Sequence, residues 1–197
     1  MLNEIEFEIQ GTWALLMHNG RLANPLDPWV EELSKLKGKR NKTREDHEEY
    51  AEVQWFASLY TDPEIVPGGK MKGARVVIPS ENIDRMMVMG ARKFKRGKQF
   101  ESGVFSVEPC WPIISNGPMT DVVALSKKPQ FADMRTVVIQ RSRVLCCRPR
   151  FDDWSLKFTL RYTGVEEAEV RRALEIAGEV IGLCDYRPRF GRFVVVE

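Results

Sequence analysis

Histidine is nearly missing from this chain, with only His18 and His47 among 197 residues. A metal-independent hydrolase commonly draws its acid–base pair from histidine, so general acid–base chemistry has few places to start. Cysteine is sparse too. Cys110, Cys146, Cys147 and Cys184 show no CxxC spacing, and two of them are adjacent. That pattern suits neither a disulfide framework nor a zinc site and reads as reduced thiols in a cytoplasmic protein. No apolar run nears the ~18 residues needed to cross a bilayer. The acidic start, Met1 to Glu8, lacks the basic flank and apolar core of a secretory signal. Walker A, GxSxG, HExxH and GxGxxG motifs are all absent, so nothing implies a nucleotide, zinc or dinucleotide cofactor. There is no internal repeat and no low-complexity segment.

What remains is an ordinary globular composition, 43% apolar and 29% charged. A chain of 197 residues makes one domain, 1–197, with room for an insertion. Its net charge of +2 conceals strong segregation: residues 1–69 carry −6, residues 70–98 carry +7 and residues 135–150 carry +5. Blocks of one sign create local fields that a near-neutral total hides. The two basic blocks read either as polyanion contacts or as solvated faces paired with the acidic block.

Residues 4–9 alternate Glu4, Glu6 and Glu8 with Ile5, Phe7 and Ile9, predicting a strand with one wet face. It is expected to continue through Trp13–Met17 and to end near His18-Asn19-Gly20. A helical and loop insertion follows over 25–75, with a short helix from Pro28 and a longer one opened by a Thr43/Asp46 capping arrangement. Arg75–Pro79 reads as a strand, Ser80 as an N-cap, and residues 80–95 as a helix. The stripe Ile83, Met86, Met87, Gly90, Ala91 and Phe94 lies at helical spacing and reads as core rather than as a cofactor box. Strands are expected near 103–107, 110–115, 136–147 and 153–163, a helix over 165–181 and a last strand at Phe193–Val196. With the insertion set aside the order is βαββαβ, an α+β, ferredoxin-like (RRM-type) antiparallel sheet with two core helices. The open face of such a sheet often takes single-stranded nucleic acid.

Three segments resemble those of the RAMP superfamily, the Cas7-like and Cas5- or Cas6-like RNA-binding subunits of CRISPR effectors. Val77-Ile-Pro-Ser-Glu-Asn-Ile-Asp-Arg-Met-Met87 resembles the "IPGSSLKGALR" segment that opens the first core helix. Gly182-Leu-Cys-Asp-Tyr-Arg-Pro-Arg-Phe-Gly-Arg-Phe193 is similar to the glycine-rich "GLGxxxSRGFGRF" loop. Gly20-Arg-Leu-Ala-Asn-Pro-Leu-Asp-Pro28 resembles "IGxxDxPVxRDP". They occur in the family's order and frame nearly the whole chain, which also looks like small RAMP-like proteins of tailed phages. The resemblance implies RNA binding, self-association head-to-tail along a strand or joining of Cas-like subunits, and a cytoplasmic location, that of the host if the protein is phage-encoded. Ser80-Glu81 stands where Gly-Ser is usual, and Cys184 and Pro188 stiffen the loop. The family's target-cleaving aspartate would fall on Ala23, so cleavage is not carried over.

Three basic patches carry the nucleic-acid reading. The first is Arg92, Lys93, Lys95, Arg96 and Lys98 around Phe94. The second is Arg141, Arg143, Arg148 and Arg150. The third is the tail, where Arg187, Arg189 and Arg192 interleave with Tyr186 and Phe190, suited to phosphate contacts and base stacking. His18 is the one catalytic candidate. It follows the first strand, where Cas6-like endonucleases often keep a histidine; its other reading is a turn residue. His47 sits among carboxylates on a solvated helix. Asp152-Asp153 is the one tight carboxylate pair outside the helices that a metal site could start from, and it reads first as a turn or strand entry. A binding protein, a small RNA endonuclease and a protein-interaction module that mimics or joins a Cas-type complex are the three functions left open.

Overall fold

A computed structural model describes residues 2–115, 119–139 and 141–196. In chain order its strands and helices begin with β1 (Asn3–Gly11), β2 (Leu15–Leu16), α1 (Pro28–Gly38), α2 (Arg44–Ser58) and β3 (Thr61–Asp62). Next come β4 (Arg75–Pro79), α3 (Ser80–Arg92), α4 (Gly97–Gly103), β5 (Val104–Ser106), β6 (Cys110–Ser115) and α5 (Val122–Ser126). The chain ends with β7 (Ala132–Ile139), β8 (Ser142–Phe151), β9 (Trp154–Tyr162), α6 (Glu167–Ile176) and β10 (Phe193–Val196). The architecture is α+β, and every described strand pairing is antiparallel. Residues form two compact units: Met1–Leu15, Val77–Met119 and Asp152–Glu197 in the first, and Leu16–Val76 and Thr120–Phe151 in the second. No helix among the described residues is long and apolar enough to cross a membrane.

The first unit is built on a sheet of order β10-β1-β9-β6-β4. β1 pairs with the length of β9, Asn3 opposite Tyr162 through Gln10 opposite Ser155. β5 and β6 therefore share the other edge of β9, with Val104 opposite Tyr162 and Ile113 opposite Leu156. Alternation decides the faces. Ile5, Phe7 and Ile9 are buried with Leu156, Phe158 and Leu160, while Glu4, Glu6 and Glu8 face outward with Lys157 and Arg161. Two helices cover the apolar face. Met86, Met87 and Ala91 of α3, and Val170, Ala173 and Leu174 of α6, are buried. The methionine stripe is thus core. The helices cross closely at Gly90, where a Cβ would stand 2.2 Å from the Ala173 carbonyl oxygen. That contact excludes any side chain.

In the second unit α1 and α2 form a pair. Trp29 stacks on Phe56 at 5.7 Å, and Trp55 meets Phe56 edge-on at 5.2 Å. The expected capping box opens α2: the Asp46 N–H donates to Thr43 Oγ1, and the Thr43 N–H donates to Asp46 Oδ2 at 2.9 Å. Lys39 Nζ lies 2.6 Å from the same carboxylate and is the main cause that lowers its pKa to about 2. α2 is fixed to the hairpin β7–β8, where the Cys147 N–H donates to Gln54 Oε1 at 2.7 Å. The Trp55 indole donates to the Phe131 carbonyl, also at 2.7 Å.

Several boundaries differ from the sequence reading. β1 stops at Gly11 instead of running through Met17, because the Thr12 and Trp13 N–H groups both donate to the Arg192 carbonyl. A separate short strand, β2, follows. Ser80 is the first residue of α3 and not its N-cap; its hydroxyl donates to the Glu108 carbonyl. The single strand expected at 136–147 is a hairpin, with Asp133 opposite Arg148 and Val138 opposite Arg143. Its turn includes Arg141 at φ 70, with no glycine, asparagine or proline to announce it.

Candidate nucleic-acid interface

The tail that follows α6 is a closed loop. A π turn, Ala177–Ile181, ends the helix, and the Gly182 N–H donates back to Ala177 at 2.8 Å. The Leu183 N–H then donates to the Gly191 carbonyl, and the Gly191 N–H to the Ala14 carbonyl, each at 2.8 Å. Residues 183–191 thus have their ends pinned together, as in an Ω-loop. Gly191 sits at φ 71, and a Cβ there would stand 2.0 Å from the Leu183 carbonyl oxygen. Gly182 is similar: φ 79, with Phe190 O at 2.5 Å. Inside the clasp Cys184 and Tyr186 also take left-handed backbone, φ 61 and 58, a conformation uncommon for residues other than glycine.

The loop lies along α3. Asn82 Nδ2 approaches Cys184 Sγ at 3.7 Å, and Arg187 Nη1 approaches Met89 Sδ at 3.7 Å. Burial pushes the Cys184 thiol up to about 12. Asn82, Arg85, Met89 and Arg92 recur at helical spacing and share one face. Arg85 and Arg92 are exposed on that face, so the tail's Arg187 joins a ridge of cations one turn apart. Lys93, Lys95 and Lys98 continue it as exposed side chains past the helix end, and Lys95 turns the chain at φ 65. Arg189, two residues after Arg187, is exposed on the loop, and Tyr186 presents an exposed ring.

Other predicted residues serve the fold. Arg96 binds Glu169 of α6 in a two-pronged pair, Nε to Oε1 at 2.7 Å and Nη2 to Oε2 at 2.9 Å. Phe190 is buried and braces Tyr186, ring centres 5.8 Å apart. The Arg192 guanidinium lies over the Trp13 ring at 4.7 Å, a cation–π contact that fixes the tail to the end of β1. Phe94 is covered by Arg172 at 4.8 Å. Arg85 and Arg172 are cations that the sequence reading missed. For Arg85 a signal existed: its spacing from Asn82, Met89 and Arg92 is that of one helix face.

The remaining candidates belong to the second unit. Arg148 is buried, and Arg150 lies 3.6 Å from Asp133, whose carboxylate Arg135 also grips. This cluster holds the base of the hairpin and offers no patch for phosphate. Arg141 and Arg143 are exposed at its far end. His18 is exposed in the irregular segment after β2, and its carbonyl accepts the Tyr60 hydroxyl at 3.1 Å. Among the described residues no group of His, Cys, Asp and Glu could hold a metal ion.

The outward face of the first unit's sheet does not suit a polyanion. Arg161 pairs with Glu4, and Lys157 with Glu8 at 2.8 Å. Glu6 stands between them. RRM-type recognition stacks bases on aromatic side chains of the central strands. Here β1 and β9 present glutamates, Lys157, Arg161, serine and threonine on that face. The open-face expectation therefore moves to the α3 ridge and its loop.

No protein-family model matches the chain, and no curated protein sequence does.

Proposed function

We propose that this chain is a RAMP-like protein that binds single-stranded nucleic acid, RNA in preference to DNA, and does not cut it. The observation that carries the binding reading is the alignment of Arg85, Arg92 and Arg187 along one side of α3, extended by Lys93, Lys95 and Lys98. Guanidinium and ammonium groups at helical spacing can follow a phosphate backbone, and Tyr186 gives a base an aromatic face to stack on.

A ferredoxin-like reading of the first unit is supported by its strand order. Taking β5 and β6 as one strand and setting aside β4, which adds outside β6, the chain runs β1, α3, β5/β6, β9, α6, β10, and the sheet order is last, first, third, second. In a split βαβ arrangement another strand sits between the two that each helix connects, here β9 for α3 and β1 for α6. Cys184 supports the RAMP resemblance from an unexpected side. It falls on the second glycine of the "GLG" pattern and adopts φ 61, the backbone that glycine takes freely. Head-to-tail self-association along the strand belongs to the same reading, with the acidic block of 1–69 facing the basic block of 70–98 of the next copy.

The test is fluorescence anisotropy with a labelled single-stranded RNA. Wild type should bind and leave the RNA intact, and Arg85→Ala/Arg92→Ala/Arg187→Ala should bind far more weakly. If the triple variant binds as wild type does, the ridge is not the interface. Cleavage that His18→Ala abolishes would replace this reading with the endonuclease.

A further inference from the structure

The second unit carries a groove of about 840 Å³ that the nucleic-acid reading does not use. It lies within the size range of small-molecule sites. Residues from Arg44 to Trp55 of α2 line it, so it follows the helix for about 16 Å at the usual rise. The opposite wall comes from the hairpin β7–β8. Met134 and Leu145 line it with about half of their surface open to solvent, 56% and 50%.

Two polar atoms in its lining are already engaged. The Trp55 indole N–H donates to the Phe131 carbonyl, and Gln54 Oε1 accepts the Cys147 N–H. Burial raises the pKa of Tyr50 and of the Cys147 thiol. A lining of Ala51, Trp55, Pro129, Met134, Val144 and Leu145 suits an aliphatic body better than a nucleobase, whose edge needs several donors and acceptors. The rim settles the sign of the head group. Arg44 is neutralised by Glu48 at 2.8 Å and Lys127 by Glu52 at 2.7 Å. Lys37 and Lys42 also line the groove and carry no carboxylate partner among the described residues, and His47 stands with them. The unbalanced charge is positive.

We infer that this groove is a binding site for a single-chain amphipathic anion, its aliphatic chain along α2 between Trp55 and Leu145 and its carboxylate at Lys37 and Lys42. The inference is independent of nucleic-acid binding, since none of these residues belongs to the α3 ridge.

Isothermal titration of the full chain tests it, with dodecanoate as probe and with decanoate and dodecyltrimethylammonium beside it, all below micelle formation. Dodecanoate should bind one-to-one. Each methylene removed should weaken binding about fourfold, so decanoate should be about fifteenfold weaker. Leu145→Glu, at an exposed position that the fold tolerates, should abolish the heat. Lys37→Glu/Lys42→Glu should reverse the preference toward the ammonium probe. The inference is overturned if dodecanoate gives no saturable heat. It is equally overturned if the ammonium probe binds wild type as tightly, or if Leu145→Glu binds unchanged.

Discussion

Replacing Gly191 by alanine isolates what holds the tail loop in place. Alanine at φ 71 carries the left-handed penalty of about 1 kcal/mol. The added Cβ would also stand 2.0 Å from Leu183 O, so the two backbone segments at the neck must separate. That puts at risk the two 2.8 Å bonds that close the loop, Leu183 N–H to Gly191 O and Gly191 N–H to Ala14 O. Each contributes about 1 kcal/mol net. Together the loss is about 3 kcal/mol, or about 6–12 °C in melting temperature for a chain of this size. Gly164→Ala is the matched control within the same unit. Its φ is 69, but a Cβ there meets nothing within 4 Å. It should lose only the backbone term, about 1 kcal/mol or about 2–4 °C. Thermal unfolding followed by circular dichroism gives both numbers. Gly191→Ala should also weaken RNA binding by displacing Arg187, whereas Gly164→Ala should not. If the two variants melt together, the clasp does not organise the loop and the argument from Gly191 fails.

Tyr186→Ala should weaken RNA binding by about 1–3 kcal/mol, the range for one stacked base, and lower stability by only about 1 kcal/mol through loss of the Phe190 ring pair. Phe190→Ala, at a buried ring, should cost about 3 kcal/mol of stability; calorimetry separates the two cases. The Cys147 thiol, buried and pushed up to about 12, should resist a disulfide reagent at pH 8 and react only on unfolding. Acid should loosen the start of α2. Asp46 titrates at about 2 in the folded chain and near 3.8 ordinarily, so its contribution is present above pH 4 and is lost as the pH falls toward 2. Nuclear magnetic resonance titration of the Asp46 carboxyl checks the value, and Lys39→Ala should move it upward.

The elements legible in the sequence were those whose own periodicity matches their surroundings. β9 alternates without a fault, α3 carries its methionine face at helical spacing, and the Thr43/Asp46 box marks the start of α2 on its own. The missed features depend on distant partners. β1 ends at Gly11 because Arg192, far along the chain, supplies the carbonyl that captures Thr12 and Trp13. The β7–β8 hairpin turns at Arg141, a residue that rarely takes positive φ, so no local signal divided the expected strand in two. The site followed the same rule. Arg187 and Arg92 could be named from composition and charge, but only the fold of the tail onto α3 brings them together. Arg148 and Phe190 look like surface cations and stackers in the sequence, and burial assigns them to the interior.

The salt dependence of RNA binding tests the central claim most directly. Each phosphate contact on a single strand contributes about 0.7 to the slope of log affinity against log salt. Wild type should show a steep negative slope. Arg85→Ala/Arg92→Ala/Arg187→Ala should flatten it by about 2, the sum for three lost contacts. A slope unchanged by the triple substitution, or no RNA binding at low salt, would contradict the account.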